Sequence, residues 1–279
     1  MLSVLFGFAS AASWGSGDFV GALASRRIGS IRATLYGEVI GLVLLIAAFP
    51  FIHETAMTWT ELGLSVVAGG IGAAGLVVLY DAMAASPMSI AAPVSGLLSA
   101  LLPVAVAALT EGLPGPTTLA GFALALLAVW LISQSADAAR HPLVRLADLR
   151  LPLLSGAAFG VYFILMHAGS RHAVVGPMIA ARCAGAVTVA VMAAVRGELH
   201  WPERTVWALL AANAAGDIGG NAFFILAGQV GRLDVAAVLG SLYPGVTAIL
   251  AWLLLREKVT RPQFAGILAA LAAIVLIAL

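Results

Sequence analysis

Asn213, Asp217 and Asn221 recur every four residues in an otherwise apolar stretch of this 279-residue chain. On a helix that interval stacks them along one face, with Gly220 beside the stripe and Phe224 continuing it. Amides and a carboxylate set in hydrocarbon can bind the polar part of a solute or an ion, or can glue one helix to the next. A second constellation puts Trp14, Asp18 and Gly21 on one helical face, with Ser13, Gly15, Ser16 and Gly17 around them. If proton movement is coupled to the chemistry, Asp18 and Asp217 are the expected carriers. Catalysis is less well served. No nucleophile–base constellation stands out, so a membrane-embedded enzyme is the weaker reading. His53, His141, His167, His172 and His200 are scattered without ligand spacing, and no metal or other cofactor is expected. No glycine-rich Lys-Ser/Thr phosphate loop is present either.

Further candidates follow from side-chain type and depth. Trp14, Tyr80, Tyr162 and Tyr243 can stack on an apolar or flat guest, and the phenols can bond a polar head. Ser95, Ser99 and Ser241 can bond an amino or carboxylate group. With Asp217 and Asn221 these complete the expected substrate-binding set. Glu38 and Arg182 occupy equivalent places in two halves of the chain, which suggests gates at opposite faces and not an ion pair with each other. Asp81 reads as an end cap or gate, His167 as a structural histidine, and Trp59, Trp201 and Trp207 as interface anchors.

The elements that must position these residues are membrane helices. Hydrophobic residues make up 62% of the chain and charged residues 10%, against ~25% charged in a soluble domain. A span needs ~20 apolar residues. Ten stretches qualify, near 2–24, 33–51, 62–84, 88–109, 116–133, 151–169, 176–195, 206–228, 235–255 and 263–278. The apolar stretches lack the alternation of barrel strands. No positive region precedes the first stretch, so it is expected to be a retained helix. Eleven basic residues (Arg26, Arg27, Arg32, Arg140, Arg145, Arg150, Arg196, Arg204, Arg256, Lys258 and Arg261) fall on one side, against Arg171 and Arg232 on the other. That bias makes the first side cytoplasmic and turns both termini outward. A net charge of +1 with no basic run gives no reason to expect nucleic acid, and Cys183 alone cannot form an internal disulfide.

The chain also repeats itself. A shift of 146 residues places Gly70 on Gly216, Ser95 on Ser241, Glu111 on Glu257 and Pro116 on Pro262. A shift of 145 places Gly15 on Gly160 and Ser25-Arg26 on Ser170-Arg171. Residues 1–136 form a first five-helix repeat, 137–150 a cytoplasmic linker and 151–279 a second repeat. An odd number of spans inverts the second copy, and inverted repeats place a transport site between the halves. The fourth stretch holds Pro93, Gly96 and Pro103, and the ninth Gly240, Pro244 and Gly245. Both are expected to be broken, with Pro93, Gly96, Gly240 and Pro244 as hinges. Short connections at 85–87 and 229–234 tie each broken helix to its neighbour. Gly121-x-x-x-Ala125 and Gly266-x-x-x-Ala270 give the fifth and tenth stretches small faces for close packing.

The stretch Ala-Ala-Val-Leu-Gly-Ser-Leu-Tyr-Pro, followed by Leu-Leu-Leu-Arg-Glu-Lys-Val-Thr and Gln-Phe-Ala-Gly-Ile-Leu, resembles the last two helices of the drug/metabolite transporter superfamily in its ten-helix EamA-type branch. Ser89 to Ile132 resembles the same pattern more loosely, with Leu98 where Pro244 aligns. The resemblance implies an inner-membrane exporter of amino acids or other small metabolites, similar to the YddG-type exporters of aromatic amino acids. It also implies a central cavity between spans one, three, four, six, eight and nine. The expected partners are a small-molecule substrate and the lipid bilayer, with a monomer or dimer as the assembly. A broad efflux pump for aromatic or cationic drugs is the alternative within the same class.

Overall fold

A computed structural model describes residues 1–85, 88–132, 134, 149–255 and 260–278. They form α1 (Leu2–Ile28), α2 (Ser30–Ala48), α3 (Trp59–Ala85), α4 (Met88–Thr110), α5 (Pro116–Ile132), α6 (Arg150–Gly169), α7 (Val175–Arg196), α8 (Trp207–Gln229), α9 (Leu233–Gly240), α10 (Tyr243–Leu255) and α11 (Arg261–Ala278). No strand occurs among the described residues. Backbone amides cannot be left bare in hydrocarbon, and a helix satisfies them within its own segment. Among the described residues, six helical stretches are long and apolar enough to cross a membrane: Ser30–Phe51, Trp59–Ala82, Arg150–Gly169, Val175–Arg196, Arg204–Gln229 and Leu233–Leu254. Shorter apolar helices cover Val94–Thr110, Pro116–Leu131 and Arg261–Ile277. The chain is a multi-pass membrane protein. Residues 137–148, most of the expected linker, and Glu257 lie outside the described residues.

The two halves interlock instead of packing as separate bodies. α1 lies along α8 and α3 along α6, while α2 meets α7, α4 meets α9 and α5 meets α11. Glycine permits the closest approaches. A Cβ on Gly216 would sit 2.6 Å from the Gly17 Cα, and one on Gly69 would sit 2.0 Å from the Ala181 carbonyl oxygen. The small face of α5 is used in the same way, since a Cβ on Gly121 would lie 2.6 Å from the Ile277 side chain on α11.

Only one of the two expected breaks is present. α9 ends at Gly240 and α10 starts at Tyr243, so Ser241 and Leu242 form a turn. The Ser241 hydroxyl donates to the Val238 carbonyl at 2.7 Å. Pro244 lies in the first turn of α10, where its missing amide has no helical partner to lose. α4, in contrast, runs unbroken from Met88 to Thr110 through Pro93, Gly96 and Pro103. The position matching Pro244 is Leu98, whose amide keeps the helix hydrogen-bonded at the place where the second half breaks. The Pro93 side chain lies outside what the structure describes.

Candidate functional site: a charged central cavity

The helices leave a cavity between the halves, lined from α1 by Trp14 and Asp18, from α2 by Glu38, from α4 by Ser99 and from α10 by Tyr243. α3 contributes Gly69, Gly72, Ala73, Leu76 and Leu79; α6 contributes Phe159, Tyr162 and Phe163. α7 contributes Met178, Ala181 and Arg182, and α8 contributes Asp217 and Asn221. Apolar and aromatic walls around a few convergent polar groups are typical of a small-molecule site.

Five of the polar groups form one connected chain. The Tyr162 hydroxyl donates to the Asn221 side-chain carbonyl. The Asn221 amide donates to the Asp217 backbone carbonyl at 2.8 Å and to its Oδ2 at 3.1 Å. Asp217 accepts from Arg182 Nη2, and Arg182 Nη1 lies 3.2 Å from Glu38 Oε2. The Arg182 and Glu38 side chains are only 8% and 12% exposed, so each carries a charge that must be answered locally. This pair corrects the expectation that Glu38 and Arg182 do not form an ion pair with each other. Each lies within about one turn of the middle of its helix, and the length of an arginine side chain covers the remaining offset at ~1.5 Å rise per residue.

α2 and α7, absent from the expected cavity walls, therefore supply its strongest charges. A sequence signal for this pairing exists. Gly41 and Gly185 each follow their charged residue by three positions. A Cβ on Gly41 would lie 3.0 Å from Arg182 Cζ, and one on Gly185 would lie 3.1 Å from Glu38 Oε2.

The aromatic side is equally constrained. Trp14 stacks on Phe163 with ring centroids 5.4 Å apart, and Phe163 lies 4.7 Å from Phe224. Trp14 is wedged between two glycines: a Cβ on Gly220 would lie 2.4 Å from its Cδ1, and one on Gly240 would lie 3.1 Å from its Cζ3. Gly96 faces the α9–α10 turn, with the Pro244 ring and the Ser241 carbonyl both 3.9 Å from its would-be Cβ.

Of the expected substrate-binding residues, Trp14, Ser99, Tyr162, Asp217, Asn221 and Tyr243 line the cavity, as does Asp18. Tyr80, Ser95 and Ser241 are buried and do not. Ser95 accepts a hydrogen bond from the Ser155 hydroxyl at 2.8 Å, joining α4 to α6. Tyr80 places its hydroxyl against Gly21 beside the Asn213 amide. Asn213 leaves the stripe functionally, because its amide donates to the Gly17 carbonyl at 3.0 Å and ties α8 to α1.

At the end of the bundle that carries Met1, a clasp joins the connections. The Glu54 carboxylate accepts from the amides of Val174, Val175 and Gly176 at 2.9–3.2 Å. Glu61 Oε1 lies 2.8 Å from His172 Nδ1, and the Gln229 amide donates to the Ser170 and Ala173 carbonyls. Arg232 bonds the Gly112 carbonyl at 2.6 Å and pairs with Asp234 at 2.7 Å and Glu111 at 3.9 Å. At the other end, Asp81 accepts from the Ser30 hydroxyl at 3.0 Å and lies 3.5 Å from Arg196. Among the described residues, no group of three or more His, Cys, Asp or Glu side chains is placed to hold a metal ion.

Comparison with known proteins gives a likeness of fold over the whole chain and a family match over its second half. No curated protein matches the chain. A solved structure, described only as the crystal structure of a protein, superposes with a TM-score of 0.75 over 98% of this chain and 95% of its own, at 18% identity. That likeness concerns the fold alone. Residues 149–279, from the start of α6 to the last residue, match the EamA-like transporter family.

Proposed function

We propose that the protein is a secondary transporter that exports amino acids or similar small metabolites by alternating access across a bacterial-type inner membrane, with no enzymatic step. The observation that carries this reading is the Tyr162–Asn221–Asp217–Arg182–Glu38 chain, held at a cavity between the two halves of the molecule. Buried ionisable groups in a membrane protein are costly and mark solute or ion pathways. The reciprocal helix pairing, α1 with α8 and α6 with α3, supports two inverted five-helix repeats related across that cavity. The turn between Gly240 and Tyr243, touching Gly96 on one side and Trp14 on the other, supplies a hinge beside the site. The clasp around the α6–α7 turn supplies a contact that one of the alternating states breaks. Asp18 and Asp217 are the residues for any coupled proton.

The test is counterflow in liposomes preloaded with unlabelled amino acids, following labelled Trp, Phe, Met and Thr with and without a pH gradient. Uptake above empty liposomes that is lost in Tyr243→Ala supports the reading. A folded protein that exchanges none of them removes amino acids from it.

A further inference from the structure

We propose that the cavity selects cargo by net positive charge: an amine or other organic cation with an apolar body, its charged nitrogen seated at Asp18 on the side facing Asp217. The proposal rests on the transporter reading and moves its cargo from amino acids to amines, the cationic class that the sequence offers as the alternative. It starts from the charges on the cavity wall. Three carboxylic acids (Asp18, Glu38 and Asp217) face one guanidinium, that of Arg182. The guanidinium is already engaged by two of them, Glu38 and Asp217. A cargo carboxylate therefore finds the guanidinium, the one basic group among the described lining residues, already taken and must approach three acidic side chains. In a low-dielectric site that repulsion is screened far less than in water.

Asp18 is in the opposite position. It lines the cavity, yet among the described residues no hydrogen bond or ion pair engages its carboxylate, while the other two acids are held by Arg182. An ammonium placed there meets a free carboxyl group and needs no existing contact to break. The surroundings suit such a group. Trp14 lies one helical turn from Asp18 on α1, and Tyr243 faces the same cavity from α10; aromatic faces attract cations through their quadrupole. Leu76, Leu79 and Phe159 supply the apolar wall for the rest of the guest.

The test uses a matched pair sharing one ring, phenethylamine and phenylalanine, titrated calorimetrically into the purified full-length protein at pH 7. Phenethylamine is expected to bind at least tenfold more tightly, and its N,N,N-trimethyl derivative, a permanent cation, is expected to retain that advantage. Asp18→Asn should reduce the preference to within about twofold, and Asp18→Glu should restore most of it, which separates loss of charge from misfolding. Phenylalanine binding as tightly as the amine, or an Asp18→Asn protein that keeps the preference, overturns the proposal. So does failure of both compounds to bind protein that unfolds at the wild-type temperature. Counterflow of labelled phenylalanine in vesicles bears on the transporter reading separately, so a zwitterion carrier would retire the charge rule and leave transport standing.

Discussion

Glu38 and Arg182 meet across the α2–α7 contact with 3.2 Å between Oε2 and Nη1, and each packs over the glycine three residues beyond its partner. Gly41 lies beneath the guanidinium and Gly185 beneath the carboxylate. The arrangement is reciprocal, and it ties one helix from each half of the chain through the charged wall of the cavity. The pair is thus both a structural bond between halves and part of the candidate site.

Removing one partner leaves the other charge buried. Arg182→Ala strands Glu38 and Asp217 together, and breaking such a pair typically costs ~3–5 kcal/mol. The expected result is a large fall in the unfolding temperature of the detergent-solubilised protein. Glu38→Gln combined with Arg182→Gln should cost less than the sum of the two single changes, since the pair then disappears as a unit. Additive losses would show that the two side chains do not act together.

The glycine contacts make a sharper packing prediction. A Cβ on Gly216 would meet the Gly17 backbone at 2.6 Å, and backbone cannot rotate away. Gly216→Ala should therefore force α1 from α8 and destabilise by ~1–3 kcal/mol, as overpacking does. Gly63, on α3 with nothing within 4 Å of its would-be Cβ, is the control. Gly63→Ala should be neutral or slightly stabilising, because alanine is favoured over glycine inside a helix by ~0.5–1 kcal/mol. Thermal unfolding followed by tryptophan fluorescence compares the two directly.

These residues also show how far the sequence could be read. Membrane helices were legible because hydrocarbon leaves the backbone little choice, and the break at Ser241-Leu242 was legible because the proline just after it starts a helix well. Asp217, Asn221 and Trp14 were found because depth and helical phase both favoured the cavity. The same reasoning fails at α4, where prolines within a helix suggest an interruption although Leu98 keeps the critical amide. Tyr80 and Ser95 also have suitable depth but turn toward neighbouring helices, and the Ser241 hydroxyl returns to the Val238 carbonyl one turn back. Depth along a single helix cannot reveal which neighbour a side chain meets. The Glu38–Arg182 pair was missed for that reason, although Gly41 and Gly185 already marked the space it needs.

The clasp should affect conformational exchange more than cargo recognition. Glu54 accepts three amides at the start of α7, acting as an acidic cap, and loss of a helix cap costs ~0.5–2 kcal/mol. Glu54→Ala is expected to lower stability by about that amount and to increase hydrogen exchange across residues 170–176, with cargo affinity within about twofold of wild type. A large loss of cargo affinity would mean that this end of the bundle shapes the site directly.

The break in the second half should govern turnover. Pro244 begins α10 beside Gly96, and Gly240 ends α9 against Trp14, so motion at this turn reaches the cavity wall without passing through the ionic network. Pro244→Leu gives the second half the residue found at the equivalent place in the first, where the helix is continuous. The expected outcome is a stiffer α9–α10 rod with cargo affinity changed by less than about threefold and exchange slowed by about tenfold, equivalent to ~1.4 kcal/mol on the barrier. Calorimetric affinity and initial exchange rates in liposomes, measured on one preparation, separate the two effects. Unchanged exchange would show that the turn is a packing feature, whereas parallel loss of affinity and rate would place Pro244 in the binding wall and not in the hinge.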